Sequence, residues 1–303
     1  MQCLSPSIPP VLAVKPRLFR QLLLTLLGIA LVLGCGYAGY RLSDAGGIQA
    51  LAENGERQLE LNARAVESEI GQYTYLPSLL ELESSVSRLL LTPGSYRRQR
   101  LNDYLEGLNQ RAGSLAIYVL DLDGRVVATS NWNRADSYLG EDLSFRPYYQ
   151  DAVQGRPGRF YGVGSTTGEP GYYLAHGLRG NGRVIGVAVV KVRLDALEKR
   201  WADAQMQAYV SDENGIIILS SDPSRRLKAI RPLDAEARER LARSLQYHWA
   251  TLDALQPLAR HSLGNGLEEV RLANADGKPL DYLQQSRPLA DSRWHLTLLT
   301  PLA

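Results

Sequence analysis

The chain has 303 residues, with 34 Lys and Arg against 32 Asp and Glu, 45% hydrophobic residues and 8% aromatic ones, proportions that exclude a disordered or low-complexity polypeptide. A net charge of +2 provides no large basic field, so nucleic acid is not expected as a partner. The two cysteines, Cys3 and Cys35, leave everything downstream without a disulfide or a thiolate metal site.

Residues 22–40 form a stretch of nineteen without a charge, LLLTLLGIALVLGCGYAGY. About 20 apolar helical residues cross the ~30 Å hydrocarbon core of a bilayer, which makes this a transmembrane helix in contact with lipid. Lys15, Arg17 and Arg20 precede it without an acid, so residues 1–21 are expected in the cytoplasm and the bulk of the chain outside it. A cleaved signal peptide fits less well, since its shorter apolar region ends at an A-x-A site that is missing here. Val32-Leu33-Gly34-Cys35 loosely matches a lipobox, and the alternative it raises is a solute-binding lipoprotein acylated at Cys35.

From residue 43 to 112 the pattern is helical. Ile48, Ala52, Gly55, Leu59, Ala63, Val66, Ile70 and Tyr73 form a stripe of nearly heptad spacing, with Glu56, Arg57, Glu60, Arg64 and Glu67 between them. Such a stripe either packs on its own domain or dimerises with a second copy, and its direct issue from the span favours a dimerising stalk. Pro77 interrupts the helix, an apolar run from Leu79 to Leu91 follows, and Thr92-Pro93-Gly94 stops it.

Beyond residue 112 short β runs and a repeat appear. Residues 117–131 align with 208–222 at a constant offset of 91, with Tyr118/Tyr209, Val119/Val210, Asp121/Asp212, Gly124/Gly215 and Ser130/Ser221 identical. The Asp-Gly and Asn-Gly pairs mark hairpin turns, and Asp121-x-Asp123-Gly124 lacks the remaining ligands of a calcium loop. Each copy continues in one order. A helix near 147–154 leads to strands near 159–164, 172–178 and 184–192; a helical stretch at 234–245 leads to strands near 268–273, 280–286 and 294–299. The expected class is α+β, two tandem PAS-like antiparallel sheet subdomains at 113–203 and 204–303.

No catalytic residues and no cofactor are expected within the chain. His176, His248, His261 and His295 match no metal spacing, and neither G-x-S-x-G nor a Walker loop occurs. The functional grammar is densest between Ser144 and Lys191. Ser144-Phe-Arg-Pro-Tyr-Tyr149 puts a capping serine and the Arg146 guanidinium at a helix start suited to an anion. Tyr161-Gly-Val-Gly-Ser-Thr-Thr-Gly168 offers hydroxyls and backbone N–H groups, and Tyr172, Tyr173 and Lys191 follow on adjacent strands. Strand alternation alone sends Lys191 either to solvent, the simpler reading, or into a pocket.

These strings, with Val187-Ala-Val-Val-Lys-Val-Arg-Leu-Asp195, resemble the sensing region of dicarboxylate sensor histidine kinases of the DctB type over roughly residues 15–303. The resemblance implies a periplasmic double Cache domain anchored in the inner membrane, a dimer through the long helix, and a membrane-distal ligand-binding subdomain above a membrane-proximal one. It makes Arg146 and Lys191 the partners of two carboxylates and takes Lys191 into the pocket. Ser144, Ser165, Thr166 and Thr167 would supply further donors, and Tyr161 and Tyr173 would close the cage. An amino acid would instead require an acid for its ammonium. Leu143 stands where close relatives are expected to carry tyrosine, so 2-oxoglutarate joins succinate, fumarate and malate as a candidate ligand. No kinase strings follow Ala303. The chain is therefore expected to be the input region of a longer sensor kinase, in which ATP with magnesium and a response regulator would engage the kinase part; a Cache sensor of another organic acid or amino acid with a different output is the alternative.

Overall fold

The computed structural model describes residues 16–248, 250–273, 277–290 and 292–302, without the side chains of 16–23 and 38–45. Residues 1–15 of the expected cytoplasmic segment lie outside that set. The chain divides into two compact units, residues 1–53 and 54–303. Helix α1 (Pro16–Thr74) contains all of the first unit's described residues and opens the second. Leu24, Leu27, Ile29, Leu31 and Leu33 are all more than half exposed in the first unit. The expected span at 22–40 has end residues outside the described side chains, and among the described residues no helix is long and apolar enough to cross a membrane.

In the second unit the apolar stripe of α1 packs on its own domain, the first of the two uses it allows. Leu59, Ala63 and Val66 are buried in one cluster with Ile117, Val190, Leu296 and Leu298, and Ile70 and Tyr73 pack against it. From Leu59 to Tyr73 the stripe covers the inner faces of both sheets within its own chain. Gly55 shows how close the packing is: a Cβ there would lie 1.8 Å from Gln285 Oε1. After Thr74 come α2 (Leu76–Leu79), with Pro77 tolerated in its first turn, a 3-10 turn, α3 (Ser84–Leu91) and α4 (Ser95–Ala112). Gly113 closes α4 at φ +66°.

The first sheet holds β1 (Ala116–Leu120), β2 (Val126–Thr129), β3 (Gly158–Val163), β4 (Pro170–Gly180) and β5 (Arg183–Val192), in the order β2-β1-β5-β4-β3. Helix α5 (Pro147–Val153) lies before β3. Helix α6 (Asp195–Asp203) leads to the second sheet: β6 (Gln207–Ser211), β7 (Ile217–Ser220), β8 (Ala259–Gly264), β9 (Leu267–Ala273), β10 (Pro279–Pro288) and β11 (His295–Pro301), with α7 (Ala235–Ser244) after β7. Its order, β7-β6-β11-β10-β9-β8, repeats the first and adds one edge strand. Among the described residues the paired strands of both sheets are antiparallel, as expected for the α+β class. The added strand β8 is a hairpin partner of β9 across Gly264-Asn-Gly266, whose three residues all have positive φ.

Period-two alternation gives each sheet two faces. In the first, Ile117, Val119, Tyr172, Leu174, Ala188 and Val190 face the helices. Ala116, Tyr118, Leu120, Tyr173, Val187 and Val189 form the opposite, outer face with Tyr148 and Phe160.

Candidate ligand-binding site

The outer face of the first sheet is not open to water. Helix α5 and the loop 130–146 cover it, which decides the two readings of Lys191: alternation puts it on the face of Val189, and that face is roofed, leaving the side chain 1% exposed. Lys191 Nζ donates to Glu169 O at 2.8 Å, to Tyr138 OH at 3.3 Å and to Thr167 Oγ1 at 3.4 Å, and lies 5.4 Å from the Tyr173 ring centroid. Burial lowers its pKa to about 8, against the raising effect of Glu169, because a buried ammonium loses hydration. Glycine makes room for it: a Cβ on Gly171 would stand 2.7 Å from Lys191 Cε, and one on Gly164 3.1 Å from Nζ.

Arg146 is the N-cap of α5, extended at φ −74° and ψ 133° as the residue before Pro147 must be. It is 2% exposed, and its Nη2 donates to Val163 O at 3.0 Å while Nη1 donates to Ser244 O and Leu245 O, both at 3.1 Å. The guanidinium lies 5.5 Å from the Phe160 ring centroid and 5.1 Å from that of Phe145. Arg146 is close enough to act electrostatically on Tyr138, Tyr148, Tyr173 and Lys191.

Between the two cations lies a stack of aromatic rings. Tyr148 and Tyr173 are parallel within 4° at 5.1 Å, Tyr118 and Tyr138 stack at 5.2 Å, and the hydroxyls of Tyr118 and Tyr148 are 2.9 Å apart. Burial pushes the phenols of Tyr118, Tyr148 and Tyr173 well up, so they remain neutral donors and acceptors. Asn131 sets the loop that delivers Tyr138: its Oδ1 accepts from Thr129 Oγ1 at 2.7 Å and from Tyr138 N at 3.3 Å, and its Nδ2 donates to Asp136 O at 2.8 Å.

The loop 164–169 closes the lysine end, with Gly168 N–H donating to Gly164 O at 2.9 Å. Thr167 touches Lys191, Ser165 is half-buried in the same loop, and Thr166 Oγ1 is a buried hydroxyl without a hydrogen-bond partner. An unmet buried hydroxyl costs about 1–3 kcal/mol, so it marks a place where a further polar atom would be stabilising. The acids nearest Lys191 are already occupied, Glu169 by Arg193 at 2.6 Å and Asp136 by Arg134 at 2.8 Å. Among the described residues no three metal-ligating side chains come together.

Two expected site residues stand elsewhere. Tyr161 alternates with Phe160 on β3 and therefore points to the inner face, where its hydroxyl donates to Ile218 O at 2.9 Å and its ring meets Trp294 edge-on. Ser144 is two residues upstream of the N-cap, its N–H bonded to Asp142 Oδ1 at 3.0 Å and its Cβ 2.5 Å from where one on Gly124 would be. With seven residues, α5 is also too short to act as the expected helix-dipole anion site. The expectation missed Tyr118, Tyr138, Tyr148 and Phe160. Tyr118 was findable, because it pairs with Val189, two residues from Lys191 on the same face; Tyr138 sits in a loop without periodicity.

The profile of the Cache domain family (dCache_1) matches residues 48–303. The chain belongs to the Cache domain family. It is 33% identical over 259 residues to the C4-dicarboxylate transport sensor protein DctB of Pseudomonas aeruginosa, covering 84% of this chain and 38% of that protein. It is 29% identical over 287 residues to the protein of the same name from Rhizobium meliloti, covering 93% and 46%. This Cache chain thus spans less than half the length of these curated relatives. The crystal structure of the sensor domain of the histidine kinase DctB from V. cholerae superposes with a TM-score of 0.76 at 26% identity, covering 84% of this chain and 98% of that one.

Proposed function

We propose that this Cache chain is the extracytoplasmic input region of a two-component sensor histidine kinase that detects a small dicarboxylate, and that the outer face of the first sheet is the sensing site. The observation that carries the reading is a pair of buried cations, Arg146 and Lys191, beside the stacked tyrosines of the outer face, with the described acids near Lys191, Asp136 and Glu169, already paired to arginines. A dianion of the succinate, fumarate or malate size answers both charges, with 2-oxoglutarate the longer variant. The bonds of Arg146 to main-chain carbonyls use three of the five N–H donors of a guanidinium, which leaves donors for a carboxylate. Thr166 and Thr167 supply hydroxyls at the other end, and Tyr173 and Tyr138 the walls. Charge-assisted hydrogen bonds of about 1.5–3 kcal/mol each offset the desolvation of a small dianion.

In this reading residues 22–40 anchor the chain in the inner membrane, and the exposed leucines of that stretch, Leu24 and Leu33 among them, are what lipid would cover. The subdomain 113–203 is the membrane-distal one, and 204–303 the membrane-proximal one. Kinase activity, with its ATP, magnesium and response regulator, belongs to the remainder of a longer protein of the kind this chain resembles. The names of the two curated relatives support the ligand class, and the V. cholerae structure, a histidine kinase sensor domain, supports the output.

A thermal-shift screen of the chain against C4 dicarboxylates, monocarboxylates and amino acids tests the reading. Succinate, fumarate or malate is expected to raise Tm, and a response confined to amino acids would refute a site with two cations.

A further inference from the structure

The cage is fastened to the second sheet by a buried polar strap. The strap runs from Ser244, the last residue of α7, to Tyr247, and Leu245 caps that helix with φ +49°, in the left-handed region that turns a chain sharply. This turn aims the consecutive carbonyls of Ser244 and Leu245 at Arg146 Nη1, both at 3.1 Å. The strap then pairs with β3: Val163 N–H donates to Gln246 O at 2.8 Å, and Gln246 Nε2 donates to Tyr161 O at 2.7 Å. Gln246 Nε2 also reaches Tyr247 OH at 3.2 Å, and Tyr247 OH donates to Asp212 Oδ2 at 3.0 Å in the turn after β6. Arg146, Gln246, Tyr247 and Asp212 are 2%, 6%, 1% and 3% exposed, so no bond in this chain is diluted by water.

An arginine has a long side chain with much rotamer freedom, and a charged clamp is effective only when held within about 0.5 Å of its working position. In its own sheet Arg146 is held by one carbonyl, Val163 O; both Nη1 bonds go to the second sheet's subdomain. We infer that Ser244–Tyr247 is a positioning strap for Arg146, through which the subdomain of the second sheet completes the ligand site on the first. The inference rests on the proposed reading of the cage as a dicarboxylate site. Gln246 and Tyr247 are positioning residues, since they act through Arg146 and β3.

The test is a calorimetric titration of succinate and of butanoate into the full chain, for the wild type, Gln246→Ala and Tyr247→Phe. Butanoate has the same carbon chain with one carboxylate, and its titrations carry Arg146→Ala in addition, so that Lys191 alone is left to answer it. Gln246→Ala is expected to lower succinate affinity roughly tenfold, the equivalent of one lost hydrogen bond, while butanoate affinity stays within about twofold. Tyr247→Phe keeps its ring in the core and is expected to lower the succinate-to-butanoate ratio in the same direction by less. A general loss of structure would weaken both ligands together, so an equal loss for both, or an unchanged succinate affinity in both variants, overturns the strap. Absence of succinate binding by the wild type overturns the dicarboxylate reading, and the strap with it.

Discussion

Tyr118 on β1 and Tyr209 on β6 stand 91 residues apart at equivalent places, each buried on the outer face of its sheet. Two residues before each tyrosine, Ala116 pairs with Lys191 on β5, and Gln207 pairs with Leu299 on β11. One register position thus holds an ammonium in the first sheet and an isobutyl group in the second. Around Lys191 the face carries tyrosines, the Thr167 hydroxyl and Arg146; around Leu299 it carries Ile217, Val270, Leu272 and Tyr282, an apolar core. The two copies thus share one strand order and differ in the chemistry of their outer faces, which is where the proposed site of the first copy lies.

The largest expected effect on this contrast comes from Arg146→Ala. It removes one of the two cations and leaves the carbonyls of Ser244 and Leu245 without their donor, so dicarboxylate affinity should fall by about 2–5 kcal/mol in calorimetry. Removal of an exposed arginine of the second subdomain, as in Arg243→Ala, should leave the isotherm unchanged.

A smaller effect follows from pH. Lys191 has its pKa lowered to about 8, chiefly by burial, and only its protonated form answers a carboxylate. Affinity for succinate is expected to hold below pH 8 and then to fall by roughly tenfold per pH unit as the lysine loses its proton. Lys191→Arg, which does not titrate in this range, should flatten the profile; a wild-type profile that is already flat to pH 9.5 would remove Lys191 from the site.

The smallest effect concerns the shared turn. Asp121 and Asp212 cap equivalent hairpin turns through Oδ1, accepting from Arg125 N at 2.9 Å and from Ile216 N at 2.7 Å. Only Asp212 is buried under Tyr247, and burial, with Glu213 beside it, raises its pKa to about 6. An aspartate whose pKa rises on folding stabilises the protein at low pH and loses that contribution as pH climbs through 6. Asp212→Asn keeps the Oδ1 acceptor and is expected to raise Tm by a few degrees at pH 7, with the gain vanishing towards pH 4 in a melting series. Asp121→Asn should change Tm little at either pH.

Much of this fold was legible because period-two alternation, hairpin glycines and the 91-residue repeat are local signals. The strands expected near 159–164 and 184–192 lie at Gly158–Val163 and Arg183–Val192. Helix α6 and strand β8 were not anticipated, although Gly264-Asn-Gly266 signals a hairpin. The use of the α1 stripe was not legible, because periodicity fixes which face is apolar and says nothing of what covers it. The same limit applies to the site. Arg146 and Lys191 attract notice as charges in apolar surroundings, whereas the inward turn of Tyr161 and the delivery of Tyr138 depend on strand phase and on a loop organised by Asn131.

The central claim is that one sheet of the two carries the site. Titration of succinate into the wild-type chain and into Lys191→Leu, which gives the first sheet the residue found at the equivalent place in the second, tests it most directly. One succinate per chain in the wild type and none in the variant is the predicted result. Two succinates per chain, or an isotherm that Lys191→Leu leaves unaltered, would contradict it.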